Sequence, residues 1–485
     1  MDLLNNPGVI GQDKTLIAIL RAIDRNQSDP VPYADGLTLV QDHVRNGEHG
    51  WIEANKRYRS LITCQMQVEK DIRVLERLNN DYRWSLLIGA KDDFDDYALY
   101  IEQDRDPKKR FYLPRRRQLL PVVRSLQELM DDELDLLSIS LPPGCGKTTL
   151  AIFLLTWIAG KWPDEPNLTG SHSNAFVHGV YEECLRIFDK NGEYLWHDVF
   201  PDIGVCNTNA KDCRIDVGKR KRFETLEFTS IGAANAGLYR AGRLLYCDDL
   251  VSGIEVALSK DRLDKLWETY TTDLRQRKIG DHCKELHIAT RWSVHDVIGR
   301  LERQYEGSDR ARFITIPALN EKDESNFDYM YGVGFNTAFY HEQRDIMDDA
   351  SWRAIFMNLP IEREGILYHP DELRRFFRLP DKEPDGIISI CDTKDKGKDY
   401  EFLPVAYLYG EDIYIEDCIC DNGKPEVVED RVANKLVEHH VQMARFESNS
   451  AGGHIAVDVE KRVRDLGGKT HITTKYTTEN KETKI

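Results

Sequence analysis

The stretch LLSISLPPGCGKTT, residues 136–149, decides the fold of this chain. Leu136 to Ser140 reads as a short buried strand, Pro142 to Gly146 as a glycine-containing loop, and the run from Leu150 to Ala159 as a helix. A strand, a loop and a helix N-terminus in that order aim backbone N–H groups at a phosphate, and the helix dipole favours the negative charge. Gly144 and Gly146 permit positive φ and close approach. Lys147 is placed to reach β- and γ-phosphates and Thr148 to hold Mg²⁺. Pro143, Cys145 and Thr149 complete the expected ATP-binding loop. The strict pattern has a glycine where Leu141 stands, so this is a shorter PPGxGKT form.

Downstream, short apolar runs alternate with helical stretches, the signature of a parallel α/β sheet. The runs are Leu136–Leu141, Asn167–Ser171, Thr225–Thr229, Leu244–Cys247 and Leu286–Ala289. Such sheets bind ligands at the carboxyl ends of their strands. One run ends in Asp248-Asp249, which gives Asp248 as a Mg²⁺ carboxylate and Asp249 as the group orienting the attacking water, with Glu255 as the fallback base. Another ends in Thr290-Arg291, suited to sensing a γ-phosphate. Arg240 and Arg243 are candidate arginine fingers, and Gln118 is a candidate adenine-reading residue.

The 485 residues carry 66 Lys+Arg against 83 Asp+Glu, a net charge of −17, which argues against a uniformly basic nucleic-acid coat but leaves local patches open. At roughly 100–200 residues per domain the length predicts two to four domains. The N-terminus has no signal-peptide pattern, and the most apolar run, Leu150 to Gly160, falls short of the roughly 18 residues a spanning helix needs. The 10 cysteines never form a CxxC pair, as in reduced, buried thiols. Residues 1–110 read as helical, with Leu16 to Ile23 and Ala54 to Leu78 as apolar-periodic segments. Acidic Asp92 to Asp106, followed by the basic runs 108–110 and 115–117, reads as a solvated connector, with a phosphate-tracking patch as the alternative.

A Pro-studded segment from Leu359 to Pro384 separates a second block. Gly386–Cys391, Phe402–Tyr409 and Ile413–Ile419 read as strands, Pro425 to His440 as a helix, Val441–Phe446 as a fourth strand, His454 to Leu466 as a helix, and Lys469–Thr473 as a possible fifth strand. In a βββαβ sheet of ribonuclease H topology the first and fourth strands are neighbours. Asp392 and Glu447, which end those strands, would then meet and bridge two divalent cations.

The loop form resembles those of helicase-like motor ATPases, and the chain from about Phe111 to Ile485 resembles phage or prophage terminase large subunits. The carriers are PPGCGKTT (142–149), SHS (171–173), GLYRAGRLLYCDDL (237–250), ATRW (289–292), Asp392 and ESNSAGG (447–453). The resemblance implies an ASCE-like P-loop ATPase over 111–360, a linker over 361–384 and a ribonuclease H-like nuclease over 385–485. It also implies ATP, Mg²⁺ and, at the nuclease, Mn²⁺ as cofactors. Implied partners are double-stranded DNA, a small terminase subunit, a portal and procapsid, and further copies in a ring, all in the host cytoplasm and away from membrane. Lys147 and Thr148 then look like the phosphate and Mg²⁺ residues, Asp248 like the metal carboxylate, and Thr290 and Arg291 like the coupling motif. The family's nuclease takes a third carboxylate from a helix after the fifth strand. Either the sequence stops short of that helix, the favoured reading, which implies an intact ATPase and an impaired nuclease in this chain, or Asp399 or another acid substitutes. The competing class is a helicase-like DNA translocase without nuclease activity.

Overall fold

The computed structural model describes residues 12–232, 239–360, 374–393, 400–447 and 452–476, and the chain divides into two compact units between Gly365 and Ile366. The first unit opens with helices α1 (Lys14–Arg25), α2 (Val31–Arg45), α3 (Trp51–Val68) and α4 (Ile72–Ala90). The segment from Ala54 to Leu78 is thus two helices, with Asp71 capping the second through the Arg73 N–H. Leu16, Leu37, Tyr58, Ile62 and Leu78 form the core of this bundle.

The acidic stretch folds in its first half into helix α5 (Phe94–Tyr100), every residue of which is buried. It is a solvated connector only in its second half, where Asp104, Asp106, Lys108 and Lys109 are exposed before the chain enters α6 (Tyr112–Met130). Asp93, Asp95 and Asp96 are buried because each meets a cation. Asp93 pairs with Lys56 at 2.5 Å, Asp95 with Arg116 at 2.7 Å, and Asp96 with Arg59. Glu102 accepts from the Phe111 and Tyr112 N–H groups at 2.8 and 2.9 Å, fixing the entry to α6. Alternating charge in the sequence here encodes buried ion pairs, which composition alone does not distinguish from a solvated face.

The rest of this unit comprises β1 (Leu136–Ser140), α7 (Lys147–Lys161), β2 (Asn167–Ser171), α8 (Asn174–Phe188), α9 (Trp196–Val199), β3 (Val205–Asn209), β4 (Arg214–Val217), β5 (Leu226–Ser230) and β6 (Leu244–Asp248). It continues through α10 (Ile254–Ala257), α11 (Lys260–Thr269), β7 (Lys284–Ile288), α12 (Val297–Gln304), β8 (Ala311–Thr315), α13 (Thr337–Ile346) and α14 (Asp349–Ile355). The sheet order is β3-β4-β5-β2-β6-β7-β1-β8. β5, β2, β6, β7, β1 and β8 run parallel, and β3 and β4 form an antiparallel extension that hydrophobic runs did not reveal. α7 is apolar nearly all round because it is buried on every side, from Leu150 to Gly160 without a break. Parallel pairing sends Ser140, Ser171, Asp248 and Ile288 to the same sheet end, and β7 separates the loop strand β1 from β6.

The second unit has β9 (Gly386–Cys391), β10 (Glu401–Tyr409), β11 (Asp412–Asp421), α15 (Pro425–Glu438), β12 (Met443–Glu447), α16 (Gly452–Asp465) and β13 (His471–Lys475). Its order is β11-β10-β9-β12-β13, with β9, β12 and β13 mutually parallel. Leu403, Val405, Phe446, Val432 and Val459 form its core between sheet and helices. Among the described residues no helix is long and apolar enough to cross a membrane.

Candidate active sites

The loop from Pro142 to Gly146 turns on two glycines in the left-handed region, Gly144 at φ +76° and Gly146 at φ +95°. A Cβ at Gly146 would lie 2.5 Å from the Phe111 ring, and one at Gly144 2.8 Å from Phe335, so both positions need glycine for conformation and for space. Aromatic residues hold the loop. Tyr329 OH donates to the Cys145 carbonyl at 3.1 Å, and Arg115 lies over the Phe111 and Tyr329 rings. Burial pushes the Cys145 thiol up to about 12, against the opposing hydrogen bond with Tyr340, so it packs as a neutral side chain. Pro143 is exposed at the loop tip and Thr149 half-buried in the first turn of α7.

α7 begins at Lys147, leaving its first N–H groups directed at the loop. Lys147 Nζ donates to the Leu141 carbonyl at 3.1 Å and to Thr290 Oγ1 at 2.9 Å, and stands 4.0 Å from Asp249 Oδ2. Thr148 Oγ1 donates to Asp248 Oδ2 at 3.1 Å. Three strand ends therefore deliver Lys147, Thr148, Asp248, Asp249 and Thr290 to one place. Burial and the charge of Asp249 push Asp248 up to about 7. Asp248 Oδ1 is buried without a hydrogen-bond partner, as is Ser171 Oγ on the adjoining strand end. An orphaned carboxylate oxygen beside a hydroxyl is the donor set a hard divalent cation takes, so these residues fit Mg²⁺.

Asp249 holds a left-handed φ of +38°, and its Oδ1 accepts from the Thr290 N–H at 2.9 Å, locking it to the end of β7. Glu255 is exposed on α10 and makes none of these contacts. Arg291 is buried with its guanidinium between Asp296 at 3.5 Å and Glu302 at 3.2 Å, so it ties the strand end to α12. Gln118 Nε2 donates to the Asp328 carbonyl at 3.4 Å, while its Oε1 is buried without a partner. The arginine-finger expectation fails within one chain. Arg240 and Arg243 precede β6 and stand at the amino end of the strand, whereas Asp248 stands at the carboxyl end. Arg243 there donates to the Met130 carbonyl and stacks on Trp162 at 3.9 Å.

Three contributors lie in stretches the sequence singles out but without a role assigned to them there. Tyr246 OH donates to Asp248 Oδ2, and burial together with that carboxylate pushes Tyr246 well above its ordinary range, so it keeps its proton. His172 Nδ1 lies 2.6 Å from the Asp249 carbonyl. Ser171 is set beside Asp248 by strand register. Period-two alternation puts Tyr246 on the face of Asp248, and that was the available signal.

In the second unit, Phe446 pairs with Cys391, so Glu447 and Asp392 follow as neighbours on adjoining parallel strands. Asp392 exchanges backbone hydrogen bonds with Phe402, and Thr393 Oγ1 donates to the Glu447 carbonyl at 2.9 Å. Glu401 opens β10 against Cys391 Sγ at 3.6 Å, on the sheet face opposite Asp392. Asp399 and residues 448–451 of the ESNSAGG segment lie outside the described residues.

No protein-family model and no curated protein matches the chain. Solved structures of phage large terminases resemble it. The large terminase of bacteriophage HK97 shares 11% identity, covering 73% of this chain and 79% of its own, at a TM-score of 0.36. That of a thermophilic bacteriophage shares 11%, covering 74% and 82%, at 0.35. The same thermophilic phage protein in complex with ADP shares 12%, covering 74% and 81%, at 0.34.

Proposed function

We propose that this chain is the large subunit of a phage terminase, a P-loop ATPase that drives double-stranded DNA into a procapsid and carries a ribonuclease H-like nuclease for cutting the concatemer. The observation that carries the proposal is the convergence of Lys147, Thr148, Asp248, Asp249 and Thr290 at one sheet end, with β7 between the loop strand and the carboxylate strand.

The α7 N–H groups and Lys147 bind the β- and γ-phosphates of ATP. Thr148 and Asp248 would hold Mg²⁺, which would supply positive charge against the phosphate oxygens. Tyr246 fixes the Asp248 carboxylate, and Asp249, oriented by the Thr290 N–H, positions the attacking water. Thr290 touches Lys147 directly, so loss of the γ-phosphate changes its contacts, and Arg291 passes that change to α12. Asp392 and Glu447 would hold Mg²⁺ or Mn²⁺ in the nuclease, where a metal pair activates water against a phosphodiester. The partners are duplex DNA, a small subunit, a portal and further copies in a ring, in the host cytoplasm.

The test is a joint titration of nucleotide and Mg²⁺. ATP affinity should rise steeply with Mg²⁺ in the wild type and lose that dependence in Asp248→Asn. Metal-independent affinity in both would overturn the site. ATP-dependent strand displacement on a forked duplex would mark a helicase instead.

A further inference from the structure

The loop between β4 and β5, Gly218-Lys219-Arg220-Lys221-Arg222-Phe223-Glu224, puts four consecutive cations on a chain of net charge −17. It is held rigidly. Asp216, fully buried, accepts from the Lys221 and Thr225 N–H groups at 3.1 Å each, and Thr225 Oγ1 donates to the Pro163 carbonyl at 3.0 Å.

The two lysines serve the loop itself. Lys221 Nζ pairs with Asp216 at 3.1 Å and donates to the carbonyls of Val217 and Lys219 at 3.0 and 2.9 Å. Lys219 pairs with Asp164 at 3.0 Å. The two arginines do not. Arg220 and Arg222 are exposed, and among the described residues neither has a carboxylate partner. Arg222 lies over the Phe223 ring at 5.2 Å, and Arg240 over the same ring at 5.6 Å. Stacking fixes a guanidinium plane and leaves its donor edge free, the presentation that suits phosphate oxygens.

This loop does not serve its own chain's nucleotide. It feeds the amino end of β5, whose other end, Ser230, pairs with Ser171. Five residues at about 3.3 Å each place it about 16 Å from the ATP end of the sheet.

We infer that Arg220 and Arg222, the latter stacked on Phe223, contact the phosphate backbone of double-stranded DNA. The inference rests on the motor reading for its choice of polyanion. A preformed loop contributes affinity without an ordering cost, and two contacts are few enough to break at each translocation step.

The experiment is fluorescence anisotropy of the full chain with a labelled duplex across about 50–200 mM NaCl. Removing two phosphate contacts in R220A/R222A should flatten the slope of log K against log salt by about 1.8 and weaken binding on the order of 60-fold near 0.1 M. R220K/R222K should keep most of the slope, and hydrolysis without DNA should be unchanged in both. Equal slopes and affinities in wild type and R220A/R222A would overturn the proposal and point to an acidic protein surface as the partner. Lost DNA-free hydrolysis with an unchanged slope would also overturn it, placing these arginines at a neighbouring copy's nucleotide. A wild type with no DNA affinity would instead defeat the motor reading, and this proposal with it.

Discussion

Asp248→Asn should stabilise the nucleotide-free protein while abolishing its ATPase. Asp248 is fully buried, and burial with the neighbouring Asp249 charge raises its pKa from 3.8 to about 7. A carboxyl whose folded pKa is raised binds more protons folded than unfolded between those values, so stability falls as pH climbs through that window. At 1.36 kcal/mol per pH unit, the raised pKa costs about 4 kcal/mol at pH 8, where the group is ionised, and less than about 2 kcal/mol at pH 5, where it is protonated on folding. Asparagine removes the charge and keeps an acceptor for Tyr246 and Thr148. Urea denaturation of the first unit's transition, free of nucleotide and metal, should therefore show the variant more stable at pH 8, with the gain falling by more than half at pH 5. A variant less stable than wild type at pH 8, or a gain independent of pH, would refute the reasoning.

Tyr246→Phe removes a hydrogen bond to an ionisable partner worth about 1.5–3 kcal/mol, and steady-state assays should show kcat for ATP reduced tenfold or more with a smaller change in KM. Arg59→Ala leaves Asp96 buried without its cation, and thermal melts should show a loss of about 3–5 kcal/mol, because burial already pushes Asp96 up to about 7. Asp392→Ala should abolish metal-dependent plasmid nicking by the full-length protein and leave ATP turnover intact; continued nicking would remove Asp392 from the nuclease.

Much of this was legible from local sequence. The loop of 142–146 and the strand ending in Asp248-Asp249 follow from residue type and spacing, and the strand order brings them together as a phosphate site requires. The five strands of the second unit stand within a few residues of their expected places. What stayed hidden depended on partners distant in sequence. The buried helix α5 looks solvated until Lys56, Arg59 and Arg116 are placed against it. The orientation of β6 decides that Arg240 and Arg243 stand at the wrong end of the strand for their own ATP. Edge strand β3 is too exposed, and β4, with Arg214 and Asp216 among four residues, too short and polar, to give an apolar run; the basic loop after β4 is separated into braces and free arginines only by the buried Asp216.

The central claim is that a DNA-driven ATPase is built on Lys147. Its most direct test is ATP turnover by the full chain, with and without linear duplex DNA, beside Lys147→Ala. The wild type should hydrolyse ATP faster with duplex DNA, and the variant should show no turnover above background. Turnover in Lys147→Ala equal to the wild type would contradict the claim.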